Sequence, residues 1–402
     1  MPADIEDIPR LPFDRPAVLD VGPVWADLRE RHPISRVLTP AGDPAWLVTG
    51  YNEAKTLFGD PRLGRSHREP QKASRISNSG FNGGPVGSFE GEPAFNARLR
   101  RVLVPSFSAS RMRRLEDGMQ KLVDTLLDDM IDAGGSGKVV DLHERLSLPL
   151  PIFVICQLLG VPYGDRAYFK DLSERAATMT GEDPFAAIVE LLAYAGELAD
   201  VKRRDPGLDV ISDLVKAQRD DPSFTNAELT QIVAGVLFAG HETTVNRISL
   251  GVVMLLENPQ VRRRLVDDPL SRPHIVEEVL RLAAPENFGL ARYASEDIVI
   301  GDVTINAGDA VIIATLAGNR DERAFPDPEA LDPDRPVSAA HLSFGYGAHY
   351  CIGAGLARTE LRVALTSLFA RLPDLRLAAE PGQLRLHVER VTGGLHELPV
   401  TW

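Results

Sequence analysis

The stretch from Thr225 to Pro259 constrains the fold more than any other. Thr225 and Glu228 form a T-x-x-E capping box, which starts a helix by satisfying its first free amides. The helix can run to Glu257, where Asn258-Pro259 starts the next one. About 32 residues at about 1.5 Å each span nearly 50 Å, enough to cross a whole domain. Further helices are predicted. Residues 109 to 132 carry Met112, Leu115, Met119, Leu122, Leu126 and Met130 at helical spacing and stop at AGGSG, 133 to 137. Residues 141 to 159, Pro273 to Leu282 and Ala354 to Arg371 follow the same pattern. Strand signals are short and lie in two places, 296 to 315 and Leu384 to Val400. The fold class is therefore mainly α with a small β region, and the 402 residues are expected to form one domain, 1 to 402. The glycine-rich run 76 to 89 is long for a connection and is expected to act as a lid, with Phe81 in it.

Charge and composition narrow the functions. A net charge of −13 argues against nucleic acid as a partner. No run of eighteen apolar residues exists, so no transmembrane helix and no membrane association are expected. The acidic, proline-rich start lacks the marks of a signal peptide. Two cysteines cannot build a disulfide framework, and a reducing cytoplasm is expected. One segment runs against the acidic balance. From Pro93 to Leu115 there is no acid but six arginines, Arg98, Arg100, Arg101, Arg111, Arg113 and Arg114. A solvated helix face would look the same.

Several common motifs fail on inspection. Gly235 and Gly240 have P-loop spacing, but His241 stands where the lysine belongs. His241-Glu242 begins a zinc-protease motif whose second histidine position is Val245. Gly345 and Gly347 begin a dinucleotide fingerprint, but position 350 is Tyr and no βαβ unit surrounds it. His349 is too close in sequence to Cys351 to serve as the base of a thiol hydrolase.

Cys351 lies in SFGYGAHYCIGAG, 343 to 355, with Gly345, Gly347 and Gly353 around it and a helix after it. Glycines let a loop turn tightly and let a flat group approach. A thiol at a helix N-terminus is biased toward thiolate. With Phe344 excluding water, such a thiolate suits haem iron. This run resembles the haem-binding loop F-G-x-G-x-H/R-x-C-x-G of cytochrome P-450, the soluble bacterial haem-thiolate monooxygenases. Ala239-Gly240-His241-Glu242-Thr243-Thr244 is similar to the family's oxygen-binding motif in its long central helix. Glu278-Val279-Leu280-Arg281 matches its E-x-x-R, and Arg335 supplies the later arginine of that structural network.

The resemblance implies a cytochrome P-450 fold with the central helix over a haem. It implies haem b (iron protoporphyrin IX) with Cys351 as axial ligand and metal-binding residue. Phe344, Gly345 and Gly353 shape the cofactor loop. Arg292, His349 and Arg100 are expected at the haem propionates. Asn96 stands where the family often has histidine, and it can donate a hydrogen bond but carries no charge. Thr243 and Glu242 are expected to move protons during dioxygen activation. Ala239 and Gly240 are expected to clear space beside the haem. The implied substrate pocket comprises Phe81, Val236, Leu237, Phe288, Gly289, Leu290, Val391 and Thr392. The implied reaction is hydroxylation or epoxidation of an apolar small molecule such as a polyketide or macrolide, terpenoid or steroid, as in bacterial secondary metabolite biosynthesis. Oxidative coupling, desaturation or ring formation on the same fold is the alternative, and a non-catalytic haem sensor or carrier is another. Electrons would come from NAD(P)H through a ferredoxin reductase and a ferredoxin, with the arginine-rich segment as the docking face.

Overall fold

The computed structural model describes residues 8–80, 83–135, 137–179, 184–285, 288–336 and 340–402. Phe81 lies outside the described residues. About half of the chain (53%) is helical. The predicted central helix is Asn226–Glu257. Its capping box closes as expected: the Glu228 amide donates to Thr225 Oγ1 at 3.1 Å, and the Thr225 amide donates to Glu228 Oε2 at 2.9 Å. Asn258 ends it and Pro259 opens the next helix, Pro259–Asp267.

The central helix is apolar around most of its circumference because other helices surround it. Pro149–Leu159, Pro184–Arg204, Ala354–Arg371 and Arg272–Leu282 all pack on it. Ala354–Arg371 is in turn covered by Ala109–Gly134. Met112, Leu115, Met119 and Met130, placed by their periodicity on one face, are all buried. The predicted helix over 141 to 159 is shorter than its apolar run: Val140–Asp141 is a strand, His143–Ser147 a π-turn, and the α-helix begins at Pro149. Proline at the first helical position explains the late start.

The sheet differs more from expectation. A five-stranded sheet runs in the order Ile34–Leu38, Pro44–Val48, Ala310–Ile313, Leu290–Ala294, Leu63–Gly64. Three of these strands come from the first 64 residues, where no strand was expected. They are five residues or fewer, and a short alternation is easily lost beside helix signals. Between Leu384 and Val400 there are isolated pairings of Leu386 with Leu395 and of Arg390 with Thr178, and the start of the Pro399–Thr401 strand. The sheet matters for the site through its register. Gly64 pairs with Tyr293 and Leu63 with Ala294. Arg65 follows directly after this strand, close enough for its charge to be felt at Arg292. Among the described residues no helix is long and apolar enough to cross a membrane.

Candidate active site

Cys351 sits in a loop tied to the molecule by a chain of buried hydrogen bonds. The chain starts at Arg281, whose Nε and Nη2 each donate to one Glu278 carboxylate oxygen at 2.8 Å. The remaining guanidinium hydrogens reach the carbonyls of Asn319, Pro328 and Ala330 at 2.9, 2.6 and 2.9 Å. Arg335 Nε and the Asp332 amide also donate to Glu278, at 3.3 and 3.0 Å. Asn319 then accepts from the Leu342 amide at 2.6 Å and donates to Ser343 Oγ at 2.8 Å. Ser343 Oγ donates to the Leu280 carbonyl at 2.6 Å. The Cys351 amide donates to the Phe344 carbonyl at 2.8 Å. The Glu278, Arg281 and Arg335 network is thus what holds the cysteine loop against its helix.

Gly345 and Gly347 both have φ of +69°, in the left-handed region. A Cβ at Gly347 would also lie 2.8 Å from the Phe58 carbonyl oxygen. Gly353 differs from the expectation. Its φ is −84°, and a Cβ there would make an ordinary 3.9 Å contact with Cys351 Sγ. Its contribution is its amide, which hydrogen-bonds to the sulfur. Phe344 carries the Arg358 guanidinium over its ring at 4.7 Å, and Arg358 is held bidentate by Glu277 at 2.6 and 2.9 Å. The thiol is accessible, yet so much protein surrounds it that burial raises its pKa against the pull of the Gly353 amide, Arg358 and Arg100. A group both accessible and surrounded lines the wall of a cleft. The thiolate bias expected from the helix end does not prevail without a positive partner on the sulfur.

The central helix shows a stripe of openness. Val236 and Gly240 are half-buried, Ala239 and Thr243 are exposed, and their neighbours Leu237, Phe238, His241, Glu242 and Thr244 are buried. Positions 236, 239, 240 and 243 share one helical face. Thr243 Oγ1 donates to the Ala239 carbonyl at 2.9 Å, one turn back. Gly240 has a different task from the one expected. A Cβ there would lie 2.5 Å from Ile155 Cδ1, so the missing side chain makes room for the Pro149–Leu159 helix.

Glu242 points away from Thr243, as adjacent helix positions must. No hydrogen bond joins the two among the described residues. Thr392 Oγ1 donates to Glu242 Oε2 at 2.6 Å, and Arg390 Nη1 lies 3.7 Å from Oε1. Oε1 is buried without a hydrogen bond. Burial pushes the Glu242 pKa up to about 7, against the pull of Thr392 and Arg390. His241 is buried with both ring nitrogens unpartnered, against the edge of Phe169, and burial depresses its pKa to about 3.

Three arginines and a histidine gather near the cysteine loop. Arg292 is buried on its strand, with one hydrogen bond of 2.7 Å to the Ala291 carbonyl, and burial and Arg65 lower its pKa to about 10. Arg65 lies near it, accessible but also depressed by burial. His349 lies 3.8 Å from Glu92, and burial and Arg292 lower its pKa to about 4, so it donates as a neutral ring and not as the cation expected. Glu92 also accepts from the Arg65 and Ser66 amides at 2.7 and 2.8 Å. Arg100 Nη1 donates to the Tyr350 carbonyl at 2.8 Å, beside Cys351. Asn96 is half-buried one turn before it on the same helix, Glu92–Ser106. Arg65 and Arg390 were not singled out from the sequence. No local signal marks them, because the register and the hairpin that place them are long-range.

The apolar pocket is smaller than expected. Leu237 is fully buried and Phe288 nearly so, so both belong to the core, and Val391 is also buried. Leu290 is the exposed member, at 37%. Gly289 has φ of +142°, and a Cβ there would lie 2.5 Å from the Ile313 carbonyl oxygen, so it shapes the backbone before Leu290. Thr392 serves Glu242. The arginine-rich segment is not a bare cationic patch either. Arg98 pairs with Glu228 at 2.6 Å and Arg111 with Asp213 at 2.6 Å, while Arg101 lies 3.5 Å from Asp221. These residues line a cleft of about 640 Å³ shared with Asp213, Asp220 and Asp221.

Comparison with known proteins decides the family. A cytochrome P450 family model matches residues 193–268 and 273–373. Pentalenolactone synthase of Streptomyces exfoliatus is 39% identical over 99% of this chain and 100% of its own length. The chain belongs to the cytochrome P450 family. Nocardicin C N-oxygenase of Nocardia uniformis is 41% identical over 97% of this P450 and 98% of that relative. Among solved structures, the putative thioether synthase SgvP, from the tailoring of griseoviridin, superposes with a TM-score of 0.90 at 35% identity, covering 98% of this chain and 100% of its own. The mainly helical P450 fold and the monooxygenase class follow, and family members work through haem-thiolate iron.

Proposed function

We propose that this P450 is a natural-product tailoring enzyme. It inserts one atom of dioxygen, by hydroxylation or epoxidation, into an apolar small molecule of the polyketide or macrolide, terpenoid or steroid kind. The observation that carries the reading is an accessible thiol in a glycine loop whose neighbour His349 lies beside the Arg292 and Arg65 guanidiniums, together with an open stripe on the central helix. Arg65 and Arg292 lie close enough for each other's positive charge to be unfavourable. Glu92 is the carboxylate that moderates them. A group bearing two carboxylates would complete that balance by bidentate contact. Haem b would fit this set: the Cys351 sulfur would hold its iron, Arg65, Arg292 and His349 would hold its propionates, and it would supply the dioxygen chemistry when bound.

The chain's own residues do the rest. The Gly353 amide and the Arg358 charge support negative charge on the Cys351 sulfur. Thr243 presents a hydroxyl to the open side, and Glu242 holds a proton up to about pH 7 on the same turn of helix. Val236, Ala239 and Leu290 offer the apolar contact that orients a substrate. The enzyme works in the cytoplasm, with electrons from NAD(P)H delivered by a ferredoxin reductase and a ferredoxin. Arg113 and Arg114, exposed on the helix that follows Phe107, which borders Gly353, are cations that would meet an acidic partner.

The carbon monoxide difference spectrum of the reduced protein tests the core of this reading. A strongly red-shifted Soret band is expected, and it should vanish in Cys351→Ala. A band at the position of histidine-ligated haem, or one unchanged by Cys351→Ala, overturns the ligand. The likeness to the putative thioether synthase keeps bond formation between two substrate atoms as the second outcome. Product mass separates the two: a gain of one oxygen for insertion, a loss of two hydrogens for coupling.

A further inference from the structure

A second cluster of ligand-type side chains lies behind the active-site acid. His387, Glu389 and His396 each bring a donor atom to within 4.8 Å of the others. The hairpin explains the convergence. Leu386 pairs with Leu395, the His387 amide donates to the Gly394 carbonyl at 2.8 Å, and the His396 amide donates to the Arg385 carbonyl at 3.0 Å. Leu395 faces the core, so His387 and His396 share the opposite face. Their rings approach to 3.6 Å between centroids. Glu389, two residues on, turns its carboxylate back onto His387 Nδ1. Arg390, which follows, reaches Glu242 and Glu174 at 3.7 and 4.0 Å, and its charge is also felt at His387.

We propose that His387, Glu389 and His396 form a binding site for a first-row divalent metal ion such as zinc. Two imidazoles and one carboxylate are a sufficient protein set for zinc, with water in the fourth position. Tetrahedral ligands at about 2.1 Å from zinc stand about 3.4 Å apart, so the present spread closes with small side-chain rotations. The ion would join both arms of the hairpin. That hairpin carries Thr392 and Arg390 to Glu242, and its Thr392 carbonyl accepts from Asn246 of the central helix at 3.2 Å. Metal binding would thereby fix the shell behind Glu242, 150 residues away in sequence from Thr392.

The test uses untagged holoenzyme, dialysed free of metal and titrated with zinc alone by calorimetry, with bound zinc counted by elemental analysis. One equivalent should bind at micromolar concentration or tighter. The step should disappear in His396→Ala, whose side chain is exposed, and weaken at least about tenfold in Glu389→Gln, while His274→Ala, an exposed histidine elsewhere, keeps it. Amide exchange over 385–396 should slow on adding zinc in the wild type and not in His396→Ala. No stoichiometric step in the wild type, or a step that survives both His396→Ala and His387→Ala, overturns the site. An unchanged carbon monoxide spectrum in His396→Ala separates this result from loss of the haem cleft.

Discussion

Two regions of the chain, proposed as the walls of one cleft, are built in opposite ways. Behind Cys351, the Glu278 carboxylate and the Arg281 guanidinium meet in a bidentate pair, and the surplus donors and acceptors end on backbone groups of 319, 328, 330 and 332. Behind Thr243, Glu242 is buried with one oxygen unpartnered, and His241 has neither ring nitrogen bonded. The first wall fixes a ligand in one position and gains from redundancy. The second must handle protons, and a carboxyl with a pKa near 7 exists only where its charged form is incompletely compensated. Polar satisfaction therefore divides scaffold from chemistry better than burial does, since both walls are buried.

The largest expected effect is on the satisfied wall. Arg281→Ala strands the Glu278 carboxylate with Arg335 as its remaining charged partner and removes the donor to three carbonyls. Loss of one member of a buried pair costs about 3–5 kcal/mol. Urea unfolding should show that loss, together with lower haem content. Arg281→Lys should rescue little, because one ammonium cannot reproduce a bidentate fork and three carbonyl bonds at once. A loss below about 1 kcal/mol would mean that the network is no more than surface-grade, and the contrast between the walls would fail.

This wall was also the legible one. E-x-x-R spacing, the glycines around Cys351 and the capping box are local patterns, and local geometry decides what they do. Gly347 needs positive φ for reasons internal to its loop. The closeness of Arg65 and Arg292 depends on strand register between segments more than 200 residues apart, and nothing near either residue encodes it. The same holds for Thr392 on Glu242. Gly240 shows a subtler miss. Its absence of a side chain was evident from the sequence, but not that Ile155 fills the space.

A smaller effect, of the opposite sign, is expected on the unsatisfied wall. The Glu242 pKa stands at about 7 in the folded chain against an ordinary 4.5. Between those values the native state holds a proton that the unfolded chain has released. Stability from this group is therefore full below about pH 4.5 and is lost as pH rises through about 7, by about 3 kcal/mol in all. Glu242→Gln removes that slope. Urea midpoints measured at pH 5, 6, 7 and 8 should show the variant gaining on the wild type as pH rises. Parallel curves would place the Glu242 pKa in the ordinary range and remove it as a proton donor near neutrality.

The smallest stability effect belongs to Thr243, and it separates structure from chemistry most cleanly. Valine keeps the β-branch and nearly the same volume, and helix propensity hardly changes. The side chain is exposed to the cleft, so no core contact is lost. Its hydrogen bond to the Ala239 carbonyl duplicates an acceptor that the helix already uses. Thr243→Val should therefore shift stability by no more than about 0.5 kcal/mol. Turnover should change out of proportion, with a larger share of consumed electrons leaving as hydrogen peroxide and a smaller share in organic product. Measured together, a flat melting curve and a collapsed product-to-NADPH ratio would show a residue retained for its hydroxyl alone. If product per NADPH stays at the wild-type value, the open stripe serves only to admit substrate, and the proton route must be sought on the Glu242 side of the helix.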